Sequence, residues 1–554
     1  MFKFIAKTPA KYRSVLIWLV FLLVAFFIFG STLNYYFVSD DWHWLWLAKT
    51  RLWSWSIFVT NYEGTTWGGS YNPFLFVIWK IFFTLFGLKA SAYHGLSLVL
   101  HATNACLVYC LGKKIFSLCK VDSSRALSSL AAILFLVWPT QVEAVSWLAA
   151  WPHLWATLFY LLSFLLFLRA RENQQKTFFS LSILAFAIGL LVKEIVLTLP
   201  ILILLLECYL LAIGDTKAKQ FWQNGKYILA DFILLAIFFA VRQEATQTFF
   251  GYYGQNNLQF HWSIWLANAQ AMILEFASAG YFRSPLYKLW YNYPLLIGIF
   301  FVLLLLLYVA YLLIKKKYKQ LFLWLLCLAT LLPVVPLGLH RTTFAGERYV
   351  YLPVIFFLYW FIFLFNKISF NKTSRLALLG FCLLCSLLII GQKNMIWEKS
   401  SQLARQIVAS YPRLGLAPGQ KIITVGLPDN LAGAEVFRNN LQQALMLTYP
   451  DTYPEIMPLP VYLQLNQKNA NYHLLNWRRD AKGWWAESID GSFVVTGTTS
   501  INMFDMYWEL WHYNYQNYTA NLIRLLPQGD LAQKIDADQM KIMTLDFGQL
   551  KIIK

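Results

Sequence analysis

The chain has 554 residues, 58% of them hydrophobic, 18% aromatic and only 13% charged. A soluble protein carries about a quarter charged residues, and β-barrel strands are short and alternating, so both classes are excluded in favour of a polytopic α-helical membrane protein. The net charge of +19 lies almost entirely in residues 1–392, which hold 31 Lys and Arg against 13 Asp and Glu. It is gathered in short loops, KKIFSLCK, RARENQQK, TKAKQFWQNGK and KKKYK. That is the loop bias of a protein beside phospholipid, and it argues against nucleic acid as a partner.

The N-terminal MFKFIAKTPAKYR and the following SVLIWLVFLLVAFFIFG imitate a signal peptide. The apolar run is too long for one and no small-residue cleavage site follows, so a retained first helix is expected. Apolar runs then predict spans over 14–33, 92–111, 126–139, 153–169, 178–192, 194–213, 227–242, 292–314, 321–338, 350–366 and 375–391. Two further stretches, 73–88 and 262–282, break the alternation of basic loops if counted as spans and are read as interfacial or re-entrant helices. About eleven spans with a cytoplasmic N-terminus then place everything after residue 392 outside the cytoplasm. The seven cysteines all precede residue 386, and no spacing among them resembles a zinc site or a disulfide framework.

Beyond residue 393 the texture changes. KNMIWEKSSQLARQIVASYP (393–412) predicts a helical connector, and residues 413–554 a small extracytoplasmic α+β domain. Strands are expected at KIITVGL, SFVVTG and IMTLDF. Helices are expected within AGAEVFRNNLQQALMLTY and MFDMYWELWHYNYQNYTANLIRLL, and Asn517-Tyr518-Thr519 fits a glycosylation acceptor triplet.

The predicted outer loops hold FVSDDWHW (37–44), WPTQVEAVSWLAAWPH (138–153), VKE (192–194) and HRTTFAGERYVYLP (340–353). Carboxylates (Asp40, Asp41, Glu143, Glu194, Glu347) and cations (Lys193, Arg341, Arg348) thus gather on one face. Charge beside a span is costly and points to a paired or functional role. The blander readings are a helix cap or solvated pair for the aspartates, snorkelling or pairing with Glu347 for Arg348, a self-neutralising turn for Lys193–Glu194, and a helix cap for Glu143. His43, His94, His101, His153 and His340 lack ligand spacing and read as structural. Trp42 or Trp67 is a candidate platform for a sugar ring.

In order and kind these segments resemble the polytopic GT-C-fold glycosyltransferases that use lipid-linked sugars, closest to the protein O-mannosyltransferase branch with its tetratricopeptide-bearing members and bacterial relatives. The resemblance spans about residues 14–412: an acidic pair after the first span, YHGLSLVLHATNACLVY, WPTQVEAVSWLAAWPHLWATLFYLLSFLLF, LLVKEIVLTLP and GERYVYLP. Departures are Ser97 where Asn is usual, Trp138 in place of a His, and Trp151 and His153 where relatives often carry Arg and Asp. The tetratricopeptide tail is replaced by the domain above.

The resemblance implies transfer of a sugar from a polyprenyl-phosphate carrier to a protein or glycan acceptor hydroxyl at the outer face of a membrane, expected to be the plasma membrane, with inversion. It makes Asp40 the base and Asp41 its assistant, puts Arg348, Lys193 and Arg341 at the donor phosphate, and gives Glu143, Glu194, Glu347, Tyr349 and His153 supporting places. The chemistry fits those residue types: a carboxylate accepts the acceptor's proton, and a planar guanidinium binds phosphate oxygens in pairs. A monophosphate donor leaves without a metal; a pyrophosphate donor would favour a divalent ion held by Asp40, Asp41 and Glu143. The alternatives are a pyrophosphate-linked oligosaccharide transferase or ligase of the same fold, and a non-catalytic transporter or lipid-handling protein. A transporter should show internal repeats and broken helices near the midplane; no convincing repeat is evident, and the polar residues lie at one face instead.

Overall fold

A computed structural model describes residues 10–60, 71–247, 262–278, 294–337, 339, 343–368, 371–459, 461–465, 475–489, 492–495, 500–503, 506–511, 519–536, 540–546 and 549–553. It divides into two compact units. The first comprises Met1–Gly30, Arg51–Leu85 and Ala92–Gly391; the second comprises Ser31–Thr50, Phe86–Ser91 and Gln392–Lys554. Residues 31–50, which carry the acidic pair, therefore group with the C-terminal region and not with the chain that surrounds them in sequence.

The first unit is helical. Its helices are α1 (Ala10–Phe29), then α3 (Pro73–Phe86), α4 (Ala90–Leu118), α5 (Ser124–Leu136), α6 (Val142–Ser146), α7 (Trp151–Asn173), α8 (Lys176–Val192), α9 (Leu199–Ala212) and α10 (Ala218–Thr246). Helices α11 (Trp262–Ser278), α12 (Pro294–Ile314), α13 (Tyr318–Leu331) and α14 (Pro353–Lys367) follow. Among the described residues seven helical stretches are long and apolar enough to cross a membrane: Val15–Asn34, Ala90–Leu118, Leu148–Asn173, Glu194–Ala212, Ala218–Thr246, Leu296–Ile314 and Thr373–Leu414. An eighth is Ser124–Leu136 with Pro139–Ser146, bent by 49°. The other three runs expected to span are the shorter helices α8, α13 and α14. All eleven expected runs are therefore helical, while seven or eight reach spanning length.

Packing in this unit follows helical spacing. Helix α4 buries Tyr93, Ser97, His101, Asn104, Val108, Leu111 and Ile115, a stripe with steps of three and four. Its polar members make hydrogen bonds to neighbouring segments. His101 bonds the Tyr351 hydroxyl (2.8 Å) and the Leu136 carbonyl (3.1 Å), and the Asn104 amide donates to Leu154 O (3.0 Å). Gly112 lets α4 approach α14: a β-carbon there would lie 2.9 Å from the Tyr359 ring. The Tyr359 hydroxyl in turn donates to Val108 O at 2.6 Å.

The second unit contains α2 (Asp41–Thr50) and, from Gln392, the C-terminal part of α15 (Lys372–Ser410), whose 39 residues merge the last expected span and most of the 393–412 connector into one helix. Three sheets follow. In the first, β1 (Lys421–Thr424) lies parallel to both β4 (Glu455–Pro458) and β13 (Met540–Asp546), with β14 (Gln549–Ile552) antiparallel at the edge. The second runs β3 (Ala434–Glu435), β2 (Leu427–Leu431), β5 (Val461–Leu465), β8 (Ser492–Val495), β11 (Thr519–Ala520). The third is wholly antiparallel in the order β6 (Leu475–Arg479), β7 (Trp484–Ser488), β12 (Leu522–Pro527), β10 (Met506–Trp511), β9 (Ser500–Met503). Two short helices, α16 (Leu441–Thr448) and α17 (Gly529–Asp536), complete it.

Strands at KIIT, SFVV and MKIMTLD match the expectation. The described residues of the expected helix across 503–526 lie instead in the end of β9 and in β10, β11 and β12. Its burial alternates, Met506 and Trp508 inside, Ile523 and Leu525 inside, with partly exposed residues between. A period of two with aromatic and branched side chains is a strand pattern, and cross-strand partners decide it over local helix preference. Likewise only the second half of 432–449 is helical, because Ala434 and Glu435 pair with β2.

Candidate functional site

In the first unit the chemistry gathers around Glu143. Pro139 forces Trp138 into an extended conformation (φ −81°, ψ 129°) and stops the helix before it. The chain restarts as a 3-10 turn and then α6, which carries Glu143, 1% exposed. Gly346, at φ +93° in a region open to glycine, sets up the 3-10 turn Glu347–Val350. The Glu143 carboxylate accepts from the backbone N–H of Gly346 (3.1 Å) and of Arg348 (2.7 Å). It also pairs with the Arg348 guanidinium Nη1.

Arg348 is thus held by Glu143, 205 positions away in sequence, a partner that local pairing did not suggest. Its guanidinium carbon lies 4.7 Å from the Trp147 ring centre and 4.6 Å from that of Tyr349, whose hydroxyl accepts from Nη2 at 2.9 Å. Tyr349 meets His153 edge to face, with ring centres 5.7 Å apart. Lys193 and Arg348 both lie within electrostatic range of His153. Lys193 is buried and extended between α8 and the 3-10 turn Glu194–Thr198. Its ammonium is 3.9 Å from Glu194, whose carboxylate is paired with Arg242 of α10. The Lys193–Glu194 turn thus holds an ion pair of its own, and Arg242 supplies Glu194 with a second cation; a cation inside an apolar run is a signal in itself.

The structure brings Glu143, Arg348, Tyr349, His153, Lys193 and Glu194 into one neighbourhood by these contacts; Glu347 is fully buried on the same turn as Arg348. Arg341, His340, Trp67, Asn517 and Tyr518 lie outside the described residues. Along the segment 140–153, Thr140 Oγ1, both amide atoms of Gln141, Ser146 Oγ and His153 Nδ1 are buried with no hydrogen-bond partner among the described residues. Buried polar atoms are normally satisfied, so this segment is rich in groups able to take a water or a ligand. Two of the departures explain each other. The Trp151 indole donates to Ser97 Oγ at 2.8 Å and stacks near Trp79 and Tyr93, so the bulk gained at 151 is matched by the small residue at 97.

In the second unit the two aspartates have different surroundings. Asp41 is buried at the first turn of α2, and its Oδ2 accepts from the Val38 N–H at 2.9 Å. Negative charge at a helix start is favourable, so Asp41 fits the capping role. Asp40 is half-buried, and its Oδ1 accepts from the Asn440 amide at 3.0 Å. Burial lowers the His43 pKa below its ordinary value, against the opposing pull of Asp40. Trp42 is wholly buried, donates to Phe37 O (3.2 Å) and packs on Tyr36 and Phe37, so it is a core residue and not a sugar platform. Among the described residues no three His, Cys, Asp or Glu side chains come together as a metal site.

Fold and site together define a polytopic helical membrane protein with a strand-rich C-terminal region and a buried network of paired charges. No protein-family model matches the chain. It is similar to the protein O-mannosyl-transferase TMTC1 of Homo sapiens, 28% identical over 125 residues, which are 22% of this chain and 14% of that one. It is also similar to the human protein O-mannosyl-transferase TMTC3, 27% identical over 128 residues, 23% of this chain and 13% of that one. The chain matches about one seventh of the length of these curated relatives. An oligosaccharyltransferase of Archaeoglobus fulgidus, solved in complex with Zn and sulfate, aligns over 84% of this chain and 72% of its own at 12% identity, with a TM-score of 0.41.

Proposed function

We propose that the chain is an integral membrane glycosyltransferase moving a sugar from a polyprenyl-phosphate carrier to a protein or glycan acceptor hydroxyl at the outer membrane face. The observation that carries this reading is the convergence of Arg348, Lys193 and His153 beside a segment rich in unpartnered buried polar atoms. Fixed cations in a dry setting stabilise the charge that a departing phosphate gains, and Arg348 is preorganised by Glu143 and Tyr349. Asp40 is assigned as the base: it is the less committed aspartate, while Asp41 is engaged in holding its own helix start. Direct displacement then inverts the anomeric centre. No resident metal is required, because a monophosphate leaving group is met by the two cations.

Undecaprenyl phosphate tests the donor side without knowledge of the sugar. Arg348→Lys keeps the charge but loses the planar fork, so binding to the purified chain should weaken by about 1–3 kcal/mol, measured by native mass spectrometry or radioligand retention. Wild-type affinity in Arg348→Ala would remove the residue from the donor site.

The topology assigned here puts the C-terminal region outside the cytoplasm. Lys482 is exposed in the turn between β6 and β7. Lys482→Cys is expected to react with a membrane-impermeant maleimide in intact cells, above the background of the seven native cysteines. Labelling only after lysis would reverse the orientation.

A further inference from the structure

The acidic segment is fastened to the C-terminal region from several directions within the second unit. The Tyr35 hydroxyl donates to Asn394 O (2.7 Å), the Tyr36 N–H to Ser401 Oγ, and the Ser39 N–H to Val436 O (2.8 Å). The fourth tie is chemical as well as mechanical: the Asn440 amide donates to Asp40 Oδ1.

Asn440 occupies the cap position of α16 at φ +70°, a left-handed conformation that Asn tolerates better than most residues. A cap Asn ordinarily turns its side chain onto the first N–H groups of its own helix. Here it makes no such bond, and the amide goes to Asp40. Two residues earlier, Arg438 is paired with Asp429 through Nε (2.6 Å) and Nη2 (3.4 Å). Asp40 is among the carboxylates whose charge reaches that guanidinium, and His43 also lies within electrostatic range of Asp40. Asp40 Oδ2 accepts no hydrogen bond among the described residues.

We propose that Asn440, a residue of the C-terminal region, is a positioning residue for sugar transfer: by holding Oδ1 of Asp40 it presents Oδ2 to the acceptor hydroxyl. The inference rests on Asp40 being the base. Oδ2 takes the hydroxyl proton as the acceptor oxygen bonds to the anomeric carbon, and the carbon–oxygen bond to the carrier phosphate breaks with its electron pair leaving on phosphate. A C-terminal region placed this way takes part in presenting the base and is more than an appendage.

The test compares Asn440→Gly and Asn440→Asp in the full-length chain. Glycine keeps the positive φ and deletes the amide; aspartate keeps the shape and replaces the donor with an acceptor facing a carboxylate. The assay follows release of undecaprenyl phosphate from undecaprenyl-phosphate-linked hexoses in the presence of a Ser/Thr-rich peptide. Both variants should lower kcat about ten- to a hundredfold with an unchanged KM for the lipid donor and a near-wild-type thermal midpoint. A raised KM with unchanged kcat, or wild-type kcat in both variants, overturns the proposal. Asp40→Asn separates the two readings. If it is inactive while both Asn440 variants keep wild-type kcat, the positioning role fails and the base assignment stands. If Asp40→Asn is fully active, both fall.

Discussion

Glu143→Ala should destabilise the helical unit by about 3–5 kcal/mol, because it removes a buried carboxylate that pairs with a largely buried guanidinium. Three donors converge on this carboxylate, two of them backbone N–H groups. Alanine removes the carboxylate that pairs with Arg348, whose side chain is 15% exposed, and orphans the two backbone N–H groups of Gly346 and Arg348. The turn that carries Tyr349 and the Gly346 bend loses its anchor at the same time. A fall in the thermal midpoint of the purified protein in detergent measures the effect. Glu143→Gln should lose less, since the amide oxygen still accepts from backbone N–H. A wild-type midpoint in Glu143→Ala would mean that the ion pair does not hold the two segments together.

Asp40→Asn should reduce transfer by about 10²–10⁴-fold, the usual range for loss of a general base, with folding intact. The amide cannot accept the acceptor's proton, yet its oxygen still receives the Asn440 hydrogen bond if the group is oriented as before. Asp41→Asn should behave in the opposite manner. Its carboxylate receives the Val38 N–H, a contact that an amide oxygen can also make, so stability and activity both change little. Release of polyprenyl phosphate from the same lipid donors reads both variants. Full turnover by Asp40→Asn would exclude it as the base, and a larger loss in Asp41→Asn than in Asp40→Asn would exchange the two roles.

The sequence by itself determined the membrane class, because apolar runs long enough for a bilayer and short basic loops follow from composition alone. It also determined the helical character of every expected span and the strands at KIIT, SFVV and MKIMTLD, whose patterns are local. The acidic pair and the Glu-Ala-Val and Glu-Arg-Tyr segments were visible for the same reason: charge next to an apolar run stands out.

What the tertiary structure alone decided are the pairings over long separations. Arg348 pairs with Glu143, Glu194 with Arg242, and Asp40 with Asn440 across 400 positions. No local rule contains such partners, since electrostatic and hydrogen-bond complementarity act through space between segments brought together by packing. The same limit explains 503–526, where aromatic residues compatible with a helix are recruited into strands by neighbours elsewhere in the chain. It also explains Trp42, whose burial depends on Tyr36 and Phe37 folding over it. Residue type limits which groups are able to pair, and packing selects the partner by bringing complementary charges and hydrogen-bonding groups within reach.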